Sequence, residues 1–521
     1  MQLYQRKTSN KYKVAIQKNI GISKSRYTLY RQCTKALWLK TYKPELVVVN
    51  ESVRQRFESG TVVGDLAKGL FGDFVDVTTE DANGRLNLRK MIEDTQKCID
   101  DEVDVICEAS FEYDGGYCAV DILKKEGDGY AIYEVKSSTS SDKEVYAQDV
   151  AYQKYILTHC GINITGTYLV SIDSHYILEG ELDIHQLFQI QDISDAVAAE
   201  YPMVEDKVNE ARIMLQDKEQ EPDENLDVHC NRPYGCAFWQ HCSKHLPKPS
   251  VFDLYRMNFD KKIELYHQGT FSYEQLQHVE LSEKQCRQVE CNLSDSVYIN
   301  KVEIKSFLNT LSYPLYFLDF ETMQPVVPEF QGTHPYQQIP FQYSLHYIEA
   351  NGGELKHTEF LGVSGEDPRR ALAEKLCEDI PMNTCVTAYN KAFECTRLKE
   401  LAESYPDLSK HLLNIRDHII DLLVPFQSGW YYVPTMGGSF SIKSVLPALF
   451  PDDPELDYHN LQGSVHNGGE AMSIFPKIKE MSEDEQRKAR ESLLKYCELD
   501  TYAMVKVWQK LTEVSTSNES V

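Results

Sequence analysis

The sequence predicts an α/β fold of two regions joined by a polar helical connector, and three observations predict it. Strand-like runs at 131–135, 167–172, 315–318, 342–348, 357–361 and 385–388 alternate with helix-like runs at 149–158, 369–379, 391–404 and a long one ending near residue 510; such alternation is the mark of α/β architecture. At 521 residues the chain exceeds one ordinary domain. No segment repeats, so the two regions are not a duplication. The expected divisions are 1–247, a connector over 248–305, a second α/β unit over 306–512, and a disordered tail over 513–521.

Taken in order, the first 50 residues hold 11 Lys and Arg and one acid, Glu45, and form a basic arm of charge +10. Residues 115–123 read as a strand carrying Asp121 near its end. A turn at 126–129 leads to a second strand over 130–136, so the pair reads as a hairpin. The acidic run 217–227 (DKEQEPDENLD) has no periodicity and reads as a solvated linker. Apolar residues over 248–305 are too sparse for an independent core. In the last region Ser482 and Glu485 have the spacing of a capping box that starts the long helix.

With 42% hydrophobic and 26% charged residues the chain is globular, which excludes collagenous and mainly disordered classes. A net charge of −26 spread evenly would speak against a nucleic-acid binder, because Lys and Arg must replace the counterions of phosphate. The basic arm changes that reading, since it sets a cationic segment on an acidic body. No run of 18 apolar residues predicts a membrane span, and Lys, Asn and Gln interrupt the start where a signal peptide needs an apolar core. A cytoplasmic protein is expected, with its 14 Cys mostly reduced.

Three constellations carry chemistry. In the first, Glu134 and Lys136 lie two apart on one strand and therefore share a face, and the hairpin brings Asp121 towards it. Two carboxylates at a strand end can hold Mg²⁺ while an ammonium orients water or stabilises charge. Gln148 and Tyr152 lie at i, i+4 on the next helix. A bare Asp…Glu-x-Lys is most often a solvated charged hairpin. The whole set, from Gly116 through Asp121, Glu134, Lys136, Gln148 and Tyr152, resembles the RecB-like branch of the PD-(D/E)xK nucleases. That resemblance implies a restriction-endonuclease-like fold in which the acids bind a divalent metal and Lys and Gln/Tyr complete the site. The family often has a His four residues after an upstream Gly; here that position, after Gly60, is Gly64, with Glu108 the candidate replacement ligand.

In the second constellation, Cys230, Cys236 and Cys242 are spaced C-x5-C-x5-C, and Cys33 stands alone in the basic arm. Chance, zinc and an iron–sulfur cluster are the alternatives. Structural zinc favours ligand pairs two to four residues apart, whereas wide spacing suits a cubane held by four thiolates. One Cys before the nuclease core and three after it resembles the iron–sulfur RecB-like nucleases, which include the CRISPR-associated exonucleases. The resemblance implies a [4Fe–4S] cluster on Cys33, Cys230, Cys236 and Cys242. Such a cross-link over roughly 200 residues stabilises by about 5 kcal/mol on a chain-entropy account.

In the third, the strand Tyr316-Phe-Leu-Asp319-Phe-Glu321-Thr322 places Asp319 and Glu321 on one face. Glu394 follows in a strand-to-helix segment, with Asp421 and Asp417 in reserve, and Tyr496 and Asp500 share a helical face at i, i+4. Acids converging from a first strand, a middle helix and a last helix are what two-metal phosphodiester hydrolysis requires. The set resembles the DEDD 3′–5′ exonucleases of the Tyr-x-x-x-Asp subclass, which implies an RNase H-like (DnaQ-type) fold binding Mg²⁺ or Mn²⁺; Ser439–Lys443 after Gly437-Gly438 resembles their substrate-side loop. Glu at 394, where those enzymes usually have Asp, departs from the pattern.

Together, 22–250 and 306–512 resemble an uncharacterised bacterial family that fuses an iron–sulfur RecB-like nuclease domain to a DEDD-type exonuclease domain, in which Glu is the usual residue at the 394 position. The pieces that carry this are YFLDFET (316–322), NKAFE (390–394), SIKSVLP (441–447) and YCELDT (496–501). It implies a metal-dependent exonuclease acting on DNA strand ends, in processing, repair or anti-phage defence. The competing readings are a nucleic-acid-binding scaffold whose first site is degenerate, and a 3′–5′ RNA exonuclease.

Overall fold

The computed structural model describes residues 20–48, 51–139 and 143–517, with only the backbone described for 51–58. The first 19 residues of the basic arm and the last four of the chain lie outside the described residues. The chain is a mixed α/β protein divided into two compact units, one of residues 1–244 with 331–335, the other of 245–330 with 336–521.

The first unit is built on a six-stranded mixed sheet of β1 (Val75–Asp76), β2 (Val105–Tyr113), β3 (Gly116–Glu126), β4 (Gly129–Lys136), β5 (Ile164–Ile172) and β6 (Phe188–Asp192), in that order. β2, β3 and β4 form antiparallel hairpins, while β4 and β5 are parallel. A parallel pair needs a crossover, and helix Lys143–His159 supplies it. Its Val150, Ala151, Tyr152 and Ile156 enter one core with Leu37 and Trp38 from helix Thr34–Tyr42 of the arm. The hairpin expected around Asp121 and Glu134 is β3–β4.

The second unit carries a five-stranded sheet in the order β10 (Leu355–Leu361), β9 (Ile339–Ile348), β8 (Leu315–Met323), β11 (Cys385–Ala388), β12 (Ile419–Asp421). β8 pairs antiparallel with β9 and parallel with β11. Two-residue strands β7 (Tyr298–Ile299) and β13 (Tyr431–Tyr432) pair separately. Strand parity on β8 organises the unit. Tyr316, Leu318 and Phe320 join Leu372 and Leu376 of helix Arg369–Asp379 and Leu398 and Leu401 of helix Ala392–Ser404. On the other parity, Leu315 and Phe317 meet Met504 and Val505 of helix Glu483–Thr516, so Asp319 and Glu321 face the helix that carries Asp500. That helix starts at the expected capping box of Ser482 and Glu485.

Three expectations need correction. The acidic run 217–227 is irregular, but it is not a solvated linker. Glu221 is ion-paired with Lys35 at 3.2 Å and Lys43 at 3.0 Å, and Glu224 accepts hydrogen bonds from the Thr34 hydroxyl and the Lys35 amide. The basic arm beside it supplies the counter-charges a linker in water would lack. The 248–305 segment is not a separate connector: Cys291 and Ile304 belong to the core of the second unit, which provides the apolar partners the segment itself lacks. The tail is helical to Thr516, because Val514 packs into that same core.

Candidate functional site

In the first unit, the registers Cys107↔Ile122 and Ile122↔Tyr133 align Glu108, Asp121 and Glu134 as one lateral row across β2, β3 and β4. Glu108 has φ 55 and is skipped in the ladder between Cys107 and Ala109, whose partners Ile122 and Val120 keep the register unbroken. Asp121 Oδ2 accepts the Val135 amide at 2.7 Å. Glu134, 1% exposed, receives Lys136 Nζ at 2.7 Å, Lys24 Nζ at 2.9 Å and Gln153 Nε2 at 2.5 Å. Lys136 also pairs with Asp149 at 3.0 Å. Burial would raise Glu134, but the Lys136 and Lys24 ammonium groups outweigh it and hold the carboxyl well below its usual range. Burial, helped by the Glu134 charge, pushes Asp121 up to about 6. Burial and the Asp121 charge push Glu108 up to about 7.

Asp121, Glu134, Lys136 and Glu108 are therefore brought together, while Gln148 and Tyr152 are not on the carboxylates. The glutamine that reaches Glu134 is Gln153. Tyr152 is fully buried, stacks on Tyr27 at 5.0 Å and donates its hydroxyl to the Ile22 carbonyl. A Cβ at Gly116 would fall 2.7 Å from that hydroxyl, so only glycine admits the tyrosine. Gln148 lines a cleft of about 940 Å³ with Arg31, Lys40, Arg232, Tyr146 and Tyr234. Lys24, Asp149 and Gln153 were not singled out from the sequence. Lys24 lies 110 positions from its partner, and no local pattern marks it.

Cys33, Cys230, Cys236 and Cys242 line a single small cavity with Glu224, His229 and Trp239. Cys33 caps helix Thr34–Tyr42, its Sγ accepting the Ala36 amide at 3.3 Å, and Cys236 Sγ accepts the Phe238 amide at 3.5 Å. Burial pushes the Cys33 thiol up and Cys230 to about 11, and raises Cys236 and Cys242. Convergent thiols of which two already accept backbone N–H groups fit a metal or cluster, since ligation reverses the penalty on thiolate.

In the second unit, Asp319, Glu321, Glu394, Tyr496 and Asp500 are all brought together. Ligand atoms of Asp319, Glu321 and Cys497 lie within 4.8 Å of one another. Asp500 Oδ1 accepts the Tyr458 hydroxyl at 2.6 Å. Lys443 Nζ donates to the Tyr496 hydroxyl at 3.1 Å and lies over both tyrosine rings. Lys443 follows Gly438, whose φ is 79 and where a Cβ would fall 2.0 Å from the Asp253 carbonyl. Burial, then the charges of Asp500, Glu321 and Glu394, push Asp319 well above its ordinary range. Burial and Asp500 do the same to Glu321. Burial pushes Glu394 to about 8 and Asp500 to about 6. Glu394 is 2% exposed and its Oε2 has no hydrogen-bond partner among the described residues.

Of the reserve acids, Asp421 is committed to the amides of Asn390, Lys391 and Leu423, and Asp417 is exposed and paired with Arg416. Tyr458 is a site residue that the sequence pattern left without a role, and Lys443, expected only as part of a substrate-side loop, reaches the Tyr496 hydroxyl. An orphaned buried oxygen among four carboxyls that repel one another is an arrangement divalent cations fit.

Residues 316–441 match the model of a family described as a domain of unknown function (DUF2779). The chain is 25% identical over 235 residues to an uncharacterized protein of Ureaplasma parvum serovar 3, a match covering 41% of this chain and 33% of that protein. The match thus spans about a third of that relative's length. No solved structure matches.

Proposed function

We propose that the protein is a metal-dependent nuclease hydrolysing DNA phosphodiester bonds from strand ends, in a cytoplasmic role in DNA processing, repair or defence. The observation that carries this reading is the centre of Asp319, Glu321, Glu394 and Asp500, three buried carboxyls and one half-buried, with Lys443 the ammonium beside them among the described residues. Two divalent ions, Mg²⁺ or Mn²⁺, would supply an activated water and a Lewis acid for the leaving oxygen. The four carboxylates would hold them, with Glu394 Oε2 gaining the partner it lacks. Tyr496, its hydroxyl fixed by Lys443, would orient the attacking water. This reading corresponds to an RNase H-like domain of the DnaQ type, preceded by a PD-(D/E)xK-like domain.

In the first unit the reading is different. Glu134 already has two ammonium groups and an amide around it, so a metal ion there competes with Lys24 and Lys136. That observation favours a second reading for this unit, a strand-binding scaffold with a [4Fe–4S] cluster on Cys33, Cys230, Cys236 and Cys242. Its cleft of Arg31, Lys40, Arg232, Tyr146 and Tyr234 combines cations with aromatic faces, as sequence-tolerant single-strand binding requires.

The test is digestion of 3′- and 5′-labelled DNA and RNA strands by anaerobically purified protein with Mg²⁺ or Mn²⁺, and with EDTA. The reading expects metal-dependent release of nucleotides from DNA ends. Degradation of RNA alone would transfer the activity to the other polymer, and intact substrates throughout would remove it. A protein without visible-range iron–sulfur absorption would remove the cluster.

A further inference from the structure

On the second unit's sheet, β9 and β10 assemble a different set of ligand-type groups. His346 and His357 are direct partners in the antiparallel ladder, their rings 4.5 Å apart and tilted by 37°. Glu498 comes from the turn of helix Glu483–Thr516 just before Asp500. One ligand atom of each of His346, His357 and Glu498 lies within 4.8 Å of the others. His346 is buried at 5% exposure, whereas Glu498 is exposed, so the cluster opens to solvent on one side.

Both rings are fixed from behind. His346 Nδ1 is hydrogen-bonded with Thr501 Oγ1 at 2.8 Å, and His357 Nε2 with Ser344 Oγ at 2.9 Å. The two hydroxyls are themselves bonded at 2.7 Å. Each imidazole therefore has one nitrogen held by a hydroxyl and the other left for a ligand, the arrangement that orients metal-binding histidines. Glu359 shares a strand face with His357, and its carboxyl feels both His357 and Glu498. Among the described residues neither Glu359 nor Glu498 forms an ion pair with Lys or Arg.

We propose that His346, His357 and Glu498 bind one divalent transition-metal ion, separate from the ions of the four-carboxylate centre. Two imidazoles and a carboxylate suit zinc-like ions over Mg²⁺, which prefers an all-oxygen shell. The ion staples β9 and β10 to the long helix. Ser344 on β9 is the ladder partner of Asp319 on β8 and Thr501 follows Asp500 in the chain, so the staple ties the strand next to Asp319 to the helix that carries Asp500. The inference stands on ligand geometry alone and does not depend on the nuclease reading.

Zinc is the probe. The full chain, with Mg²⁺ in excess to occupy the carboxylate centre, is titrated with Zn²⁺ and the bound metal counted per chain. Wild type is compared with the His346→Gln/His357→Gln double variant and with Glu498→Gln. The double variant is expected to bind one zinc fewer. Glu498→Gln, at an exposed position that folding tolerates, is expected to bind that zinc about tenfold more weakly and to lose part of the zinc-induced rise in melting temperature. Equal zinc counts and affinities in all three proteins overturn the proposal. If the double variant does not fold, an unchanged zinc affinity in Glu498→Gln is enough to overturn it.

Discussion

Glu134 and Asp319 are acids at the two candidate centres, and their surroundings give them opposite energetics. Glu134 is held charged by Lys136 and Lys24, so Glu134→Gln leaves Lys24 without its counter-ion and Lys136 with Asp149 alone. A loss of about 2 kcal/mol is expected, less than for a fully buried pair, because both lysine side chains remain 24% exposed. Asp319 is pushed towards its neutral form by burial and three other acids, so Asp319→Asn should stabilise the metal-free protein by roughly 1 kcal/mol while removing activity. Thermal unfolding in EDTA reads both signs. A pH dependence follows from the same shifts. Carboxyls whose folded values are raised contribute stability that is present below about 4.5 and is lost as pH rises through about 6 for Asp500 and about 8 for Glu394. Mn²⁺ restores what is lost, so the Mn²⁺-induced rise in melting temperature should be larger at pH 8 than at pH 6. An equal rise at both would contradict the assignment of these acids as ligands. The acids themselves were legible, because Asp-x-Glu and Glu-x-Lys spacings place pairs on one strand face. Gln153 was not, since Gln148 and Tyr152 define an equally regular helical face and only packing decides which face meets β4.

At the scale of elements, the basic arm is the piece whose reading changed most. Lys24 reaches Glu134, Arg31 pairs with Glu200 at 2.7 Å, and Lys35 and Lys43 pair with Glu221. Burial would raise Glu221, but hydrogen bonds from His241, Lys43 and Lys35 bring it down to about 2. Trp38 anchors the arm at 2% exposure, its indole N–H donating to the Asp217 carbonyl at 2.8 Å. Trp38→Ala should therefore cost about 3–5 kcal/mol and, on the proposed cluster, lower the iron retained per chain, measured by thermal unfolding and metal analysis on the same preparation. Elements with strong internal patterns were readable: 385–388 is β11 and 369–379 is a helix, as expected. The edge strands β1, β6 and β12 were not. β1 and β12 have two and three residues, too few for a period to register, and the five residues of β6 are mostly exposed and polar rather than an apolar run like β11; the pairing of arm with acidic run depends on contacts over more than 170 positions.

For the whole molecule, the net charge of −26 restricts where a polyanion can dock. Part of the negative charge is the site carboxylates, which bound cations would offset locally. Part of the arm's positive charge is already paired with Glu200, Glu221 and Glu134. Binding to single-stranded DNA should therefore depend on few cations, with a salt slope of magnitude about 2–3, which corresponds to roughly three or four phosphates; a filter-binding or anisotropy titration against salt measures it. The proposed function confines recognition to the centres and assigns hydrolysis to the second unit's carboxylates. The most direct test compares cleavage of end-labelled DNA by wild type, Asp319→Ala and Asp121→Ala under Mn²⁺. The account predicts that Asp319→Ala lowers the rate by a factor of about 100 or more and that Asp121→Ala leaves end-cleavage in place. Full activity in Asp319→Ala, or its loss in Asp121→Ala alone, would contradict it.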